Sequence, residues 1–394
     1  MISEKMMMLG KKRSVIREIF EFAKKRAAEI GKENIFDFSL GNPNVPAPAC
    51  VKETIMELLE NEDPVLLHGY TSAQGDLRVR KIISNQINLE FGTELGPDNI
   101  YITVGAAASL TISIKAIALP DDEFIAFTPF FPEYKIFVEA AGAKFVTVAS
   151  DENSFQVDIP KFEAAITAKT KAVIVNSPNN PSGVVLSEDN IRQLCAVMAK
   201  KSLEFGHPIY LISDEPYRKL VYGDIKVPYL INYYDNAFIG YSFSKALSIP
   251  GERIGYIVVS NKMINATDTY AAVCGAGRAL GYVCAPSLFQ SVIAKCINET
   301  SDIHIYKKNR DILYEGLTKL GFHCIQPDGA FYLFMKSMEP DAYMFCEKAK
   351  KYELLLVPGD DFGSPGFVRI AYCVKTKQII NSLPAFEKLA NEYK

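Results

Sequence analysis

Hydrophobic positions along this chain gather into seven short runs set between helical stretches. The runs lie at 100–104, 123–127, 144–148, 171–176, 209–213, 237–241 and 254–259, each of strand length. Between them, 105–119, 132–141, 159–167 and 187–205 carry helical patterns. Such alternation predicts an α/β fold: a large domain over 47–283 with a mostly parallel seven-stranded sheet covered by helices. Ahead of it, residues 14–30 read as an amphipathic helix with Ser14 as its cap and Gly31 at its end. A short strand at 35–40 follows, and then the breaker-rich Gly41-Asn-Pro-Asn-Val-Pro-Ala-Pro48, read as a crossing between domains. After about 285 come a long helical region and two further apolar runs, at 329–334 and 366–371. These predict a smaller α+β domain formed by both chain ends, 1–46 and 284–394.

Composition narrows the function classes. The chain has 394 residues, 48% of them hydrophobic and 23% charged, as expected of an ordinary globular protein of two domains. A formal net charge of −3 argues against a nucleic-acid surface. The eight cysteines form no CxxC pair and the four histidines no ligand pattern, so the expectation is reduced thiols, a cytoplasmic location and no metal. The Met6-Met7-Met8-Leu9 patch is too short for a signal-peptide core, and no run reaches membrane-spanning length, so no membrane partner is expected.

Chemistry enters at Tyr241-Ser242-Phe243-Ser244-Lys245, which lies with Arg253 between two buried strands. A lysine held there has a lowered pKa and can condense with an aldehyde. Ser242, Ser244 and Arg253 are suitable partners for a phosphate. An aldehyde and a phosphate together point to pyridoxal 5'-phosphate.

Other candidates sit at the carboxyl ends of strands, where open α/β sheets bind ligands. Asp214, in Ser-Asp-Glu-Pro-Tyr217, suits a pyridinium nitrogen or, equally, a helix cap. Asn180, in Asn176-Ser-Pro-Asn-Asn-Pro-Ser-Gly183, suits a phenolate oxygen, although in isolation the segment reads as a turn. The small residues Gly105-Ala106-Ala107 open a helix whose N–H groups suit a phosphate, and they suit helix–sheet packing as well. Phe131 is either a stacking face or core, and Arg369 either a carboxylate fork or half of a salt bridge. Gly275-Ala-Gly277 lacks the dinucleotide-binding spacing.

Taken together, these residues resemble the class I/II aminotransferases, the fold-type-I pyridoxal phosphate enzymes, from about Phe36 to Ala371. The motifs are Ser-Leu-Gly-Asn-Pro43, Tyr70 with Gly75-Asp-Leu-Arg78, Asn180-Pro-Ser-Gly, Asp214-Glu-Pro-Tyr217, Ser242-Phe-Ser-Lys245 with Arg253-Ile-Gly, and Gly329-Ala-Phe-Tyr332. The resemblance implies that Lys245 is the Schiff-base lysine and proton shuttle, and that Asp214 pairs with the ring nitrogen. It further implies that Asn180 and Tyr217 bind the ring oxygen, Phe131 stacks on the ring and Tyr134 lies beside Asp214. The phosphate falls to the Ala106 and Ala107 N–H groups, Ser242, Ser244, Arg253 and, across a homodimer, Tyr70. The substrate carboxylate falls to Arg369, Asn180 and the Gly41 backbone.

The implied reaction is ping-pong transfer of an amino group from an L-amino acid to a 2-oxo acid. Thr103-Val-Gly-Ala-Ala107 carries Ala where one aspartate-specific subgroup has a lysine, while Arg278 falls near another subgroup's side-chain-selecting arginine. Ile16, Tyr70 and Tyr332 are expected to line the rest of the cleft. A carbon–sulfur β-lyase would share every cofactor residue. A ligand-sensing regulator would need a DNA-binding domain in front, and residues 1–35 are too few for a winged helix.

Overall fold

The computed structural model describes residues 2–11 and 15–394, so the Ser14 cap lies outside the described residues. Twelve strands are present among them. β1 is Phe36–Asp37, β2 Ile100–Thr103, β3 Glu123–Thr128, β4 Lys144–Ala149, β5 Thr170–Asn176 and β6 Tyr210–Asp214. β7 is Ala237–Ser242, β8 Gly255–Val259, β9 Tyr332–Lys336, β10 Leu354–Leu355, β11 Val357–Pro358 and β12 Phe367–Ala371.

Strands β2 to β8 form one sheet in the order β2-β8-β7-β6-β5-β3-β4. Every pairing is parallel except the two made by β8, which runs against both neighbours. Central strands such as Ala237–Ser242 are buried at every position, because helices cover both faces. Alternate residues face opposite sides. Val173, Val175, Ile239 and Val258 pack in one core with the helices Leu77–Phe91 and Glu188–Phe205. Ala172, Ile174, Phe238 and Ile257 pack in a second core with Ala106–Ile117 and Ala266–Ala279.

A three-stranded antiparallel sheet, β11-β12-β9, and the parallel pair β1-β10 build the smaller unit. Its core joins Phe38 and Val45 to Leu313, Phe345, Ile370 and Phe386 from the helices Ile303–Lys319, Ala342–Lys350 and Thr376–Asn391 and from β12. Both chain ends therefore contribute to it. The helix Ser287–Cys296 lies elsewhere: Val292, Ile293 and Cys296 are buried with Val51 and Leu58 against the large sheet.

Candidate active site

Five of the sheet's connections leave the same edge and bring their side chains together. Thr103, Thr128, Asn176, Asp214 and Ser242 are the last residues of β2, β3, β5, β6 and β7. Reversal of β8 adds a sixth, since its first residue, Gly255, pairs with both Thr103 and Ser242 and so brings Arg253 to that edge.

The first constellation is acidic. Asp214 is 4% exposed; its Oδ2 accepts from Tyr134 Oη at 2.6 Å, and its Oδ1 has no partner. Burial raises its pKa to about 7 against the Tyr134 hydrogen bond, with the neighbouring Glu215 charge adding to the rise. It caps no helix. Glu215 is tied to Arg218 in a buried ion pair and accepts from Ser213 Oγ at 2.7 Å. Arg218 lies over the rings of Phe91 and Tyr229, at 5.1 and 5.0 Å from their centroids, and donates to Val227 O and Pro228 O. That network fixes the turn carrying Tyr217.

Asn176 links this turn to the next one. Its Nδ2 donates to Asp214 O at 2.8 Å, and its Oδ1 accepts from Asn180 N at 2.7 Å. Sequence reasoning passed over Asn176, although it opens the quoted Asn-Ser-Pro-Asn-Asn motif.

The second constellation is cationic. Lys245 Nζ donates to Gly41 O at 2.8 Å and lies 5.3 Å from the Phe331 ring centroid. Burial lowers its pKa to about 8; the Arg253 and Arg369 charges push the same way and Cys373 opposes them. Arg369 is 2% exposed and makes no ion pair among the described residues. Its Nη1 donates to Asn180 Oδ1 at 3.1 Å and its Nη2 to Ser39 O, while Nε has no partner. The guanidinium lies between Tyr332 and Phe362, 4.7 and 5.0 Å from their centroids. A buried arginine without a counter-ion is costly, which leaves the salt-bridge alternative without support. Gly41 is required by close approach: a Cβ there would lie 1.9 Å from Tyr332 Oη.

The third constellation suits an anion. Gly105, at φ +87°, precedes the helix Ala106–Ile117 and supplies no side-chain cap, so the first-turn N–H groups lack one. A Cβ on Gly105 would lie 2.8 Å from Arg253 Nη2, so the guanidinium packs directly on this turn. Arg253 donates to Pro250 O at 3.0 Å and, like Arg369, makes no ion pair among the described residues. Ser242 Oγ donates to Ser244 Oγ at 2.8 Å.

Phe131 is half-buried, edge-on to Tyr134 at 5.6 Å between centroids. Tyr217 Oη lies 3.0 Å from Tyr332 Oη. Ile16 packs, half-buried, on the cluster holding Phe362. Two candidates stand apart within the single chain: Tyr70 is 98% exposed, and Arg278 lies on the exposed side of its helix.

Comparison with known proteins agrees with this geometry. Residues 33–384 match the family described as aminotransferase class I and II. An aspartate aminotransferase of Thermotoga maritima is 29% identical over 381 residues, covering 95% of this chain and 97% of that one. The aspartate/prephenate aminotransferase of Thermus thermophilus is 28% identical over 372 residues, covering 92% and 94%. Among solved structures, an aminotransferase from Eubacterium rectale superposes with a TM-score of 0.98 at 56% identity, covering 100% of this chain and 99% of that one. The chain belongs to the class I and II aminotransferases and is an enzyme that transfers nitrogenous groups. No helix among the described residues is long and apolar enough to cross a membrane.

Proposed function

We propose that the protein is a pyridoxal 5'-phosphate-dependent L-amino acid:2-oxo acid aminotransferase working by a ping-pong cycle. One observation carries the reading. Lys245 and Arg369 donate to carbonyls two residues apart on one segment, Gly41 and Ser39, so a reactive amine and an unpaired carboxylate fork share one anchor.

The residues fit the cofactor. Asp214 Oδ1, buried and unpartnered, is open to an N–H donor, and a protonated ring nitrogen would suit its ionised form. The uncapped helix start with Arg253, Ser242 and Ser244 suits a phosphate. Asn180 and Tyr217 suit the ring oxygen, and Phe131 a ring face. When bound, the cofactor supplies an aldehyde for condensation with amines and a ring that delocalises the electron pair left by a departing α-proton.

The protein's own groups supply the rest. Lys245, with its pKa near 8, is substantially neutral at mildly basic pH, so Nζ can attack a carbonyl and afterwards accept and return a proton. Arg369 takes the α-carboxylate as a fork, with Asn180 fixing its orientation. Asp214 holds positive charge at the ring nitrogen, and its burial strengthens that pairing. An amino acid enters and its 2-oxo acid leaves; a second 2-oxo acid then enters and leaves as an amino acid.

A second copy of the chain completes the site in this reading, bringing Tyr70 to the phosphate. The exposure of Tyr70 together with Val65 and Leu66 supports this. We place the division between the two units near residue 300, since Ser287–Cys296 is buried with the large sheet.

The test is a panel of amino acids mixed with cofactor-loaded protein and followed by absorbance, then by addition of 2-oxoglutarate. The expected result is a half-reaction spectral change that the oxo acid reverses, with no ammonia released. Steady release of pyruvate and ammonia from cystathionine without an oxo acid would instead establish the β-lyase.

A further inference from the structure

Tyr332, 3% exposed, touches the surroundings of three groups on which the proposed reaction depends. Its hydroxyl is 3.0 Å from Tyr217 Oη. Its ring faces the Arg369 guanidinium at 4.7 Å. Its hydroxyl also packs so tightly on Gly41 that no side chain fits there, and the Gly41 carbonyl is the acceptor for Lys245.

Among the described residues each of the two hydroxyls has the other as its one partner, and either can donate. The cofactor of the proposed reaction breaks that symmetry. With its ring oxygen accepting from Tyr217, the buried Tyr332 proton has the Tyr217 oxygen as its acceptor. Burial raises both phenols, Tyr332 to about 12 and Tyr217 well above its ordinary value, and the Arg369 charge opposes the rise in each, so both hydroxyls stay protonated. With its oxygen already accepting, Tyr217 keeps its own proton for another acceptor.

We propose that Tyr332 is a positioning residue that donates to Tyr217 and thereby aims the Tyr217 proton at the phenolate oxygen of the cofactor. It acts through Tyr217 rather than on the reacting atoms. This rests on the pyridoxal phosphate reading above. The physical consequence concerns the proton on the Lys245 nitrogen once the cofactor is attached. When that proton leaves, the adjacent phenolate loses its counter-charge and relies more on its hydrogen-bond donors. A well-aimed donor therefore lowers the pH at which the proton leaves, and a poorly aimed one raises it.

The experiment compares the wild type, Tyr332→Phe, Tyr217→Phe and the double variant, each loaded with pyridoxal phosphate. The readouts are visible absorbance against pH, borohydride trapping on Lys245 and thermal unfolding. Tyr332→Phe keeps the ring on Arg369 and removes only the hydroxyl. We expect its absorbance midpoint to rise by about half a pH unit or more with unfolding little changed. In the Tyr217→Phe background the same substitution should add no further rise, because its effect passes through that hydroxyl. A wild-type midpoint in Tyr332→Phe overturns the proposal, and so does an equal rise in both backgrounds. If nothing is trapped on Lys245 of the wild type, the cofactor reading falls and this proposal with it. Normal trapping with an unmoved midpoint overturns the role of Tyr332 alone.

Discussion

Tyr134 Oη lies 2.6 Å from Asp214 Oδ2 and satisfies one carboxylate oxygen while the other stays buried and unpaired. The half-satisfied carboxylate has a pH signature. In protein stripped of cofactor, the folded pKa of Asp214 is about 7, above the ordinary 3.8. Between these values the folded chain binds more protons than the unfolded one, so the Asp214 contribution is fully present below about pH 4 and lost as pH rises through 7. Asp214→Asn keeps an acceptor for Tyr134 and cannot ionise. The difference in Tm between variant and wild type should therefore grow from pH 4 to pH 7 and level off beyond. Loading with cofactor should remove most of the difference in the wild type, because a cationic partner makes the ionised form welcome. In turnover, the variant should lose roughly 10²-fold or more.

Lys245 gives a second pH expectation. Its neutral form attacks an aldehyde, so the rate of cofactor capture should rise with pH and level off above about 8. Arg369→Gln removes one of the charges holding that pKa down, and the midpoint should move up. Lys245→Ala should lose the visible band and on the order of 10⁴-fold or more in turnover. Retention of normal transamination by Lys245→Ala would remove the basis of the assignment.

Arg369→Lys tests the carboxylate fork. A lysine keeps the charge and loses the paired N–H geometry. kcat/KM for amino acids should fall by roughly 10-fold to 100-fold, about 1.5–3 kcal/mol, while decarboxylated amines, already poor, should change little. Equal losses for amines and amino acids would place the carboxylate elsewhere.

Gly41→Ala tests the packing on which both cations depend. The added Cβ would fall 1.9 Å from Tyr332 Oη, so the 39–41 segment or the Tyr332 ring must shift. The expected cost is about 1–3 kcal/mol in chemical unfolding. Cofactor affinity and carboxylate affinity should worsen together, since Lys245 and Arg369 anchor on this segment. An unchanged unfolding midpoint would show that the segment yields freely.

The seven strands of the large sheet were legible to within a residue at their ends, because continuous apolar runs bounded by breakers admit few other readings. The direction of β8 was not, since an apolar run carries no sign of which way it points. The run at 329–334 predicts a strand, but the strand starts at Tyr332. Ala330 has φ +56°, and the Ala330 N–H donates to Leu220 O, so the first residues bind the turn after β6 instead. Most motif residues meet at the sheet edge, because strand ends with dense breakers mark where a chain can expose polar groups. Asn176 and Tyr332 escaped notice as connectors because their partners are settled only by the fold: Tyr332 meets Tyr217 across 115 residues. The helices Ala49–Asn61 and Leu77–Phe91 were not marked out either, as they lie outside the strand-to-strand alternation that guided the reading.

The Arg369 arm joins parts of the chain far apart in synthesis. Ser39 accepts from Arg369 across 330 residues, Phe38 O accepts from Ala371 N, and β1 pairs with β10. A growing chain presents Lys245 before Phe331 and Arg369, which pack beside its amine and help hold its pKa down, have been made. The lysine therefore gains its full burial, and the site its carboxylate fork, only when the last part of the chain docks on the first. Reactivity and discrimination mature together, at the end of synthesis.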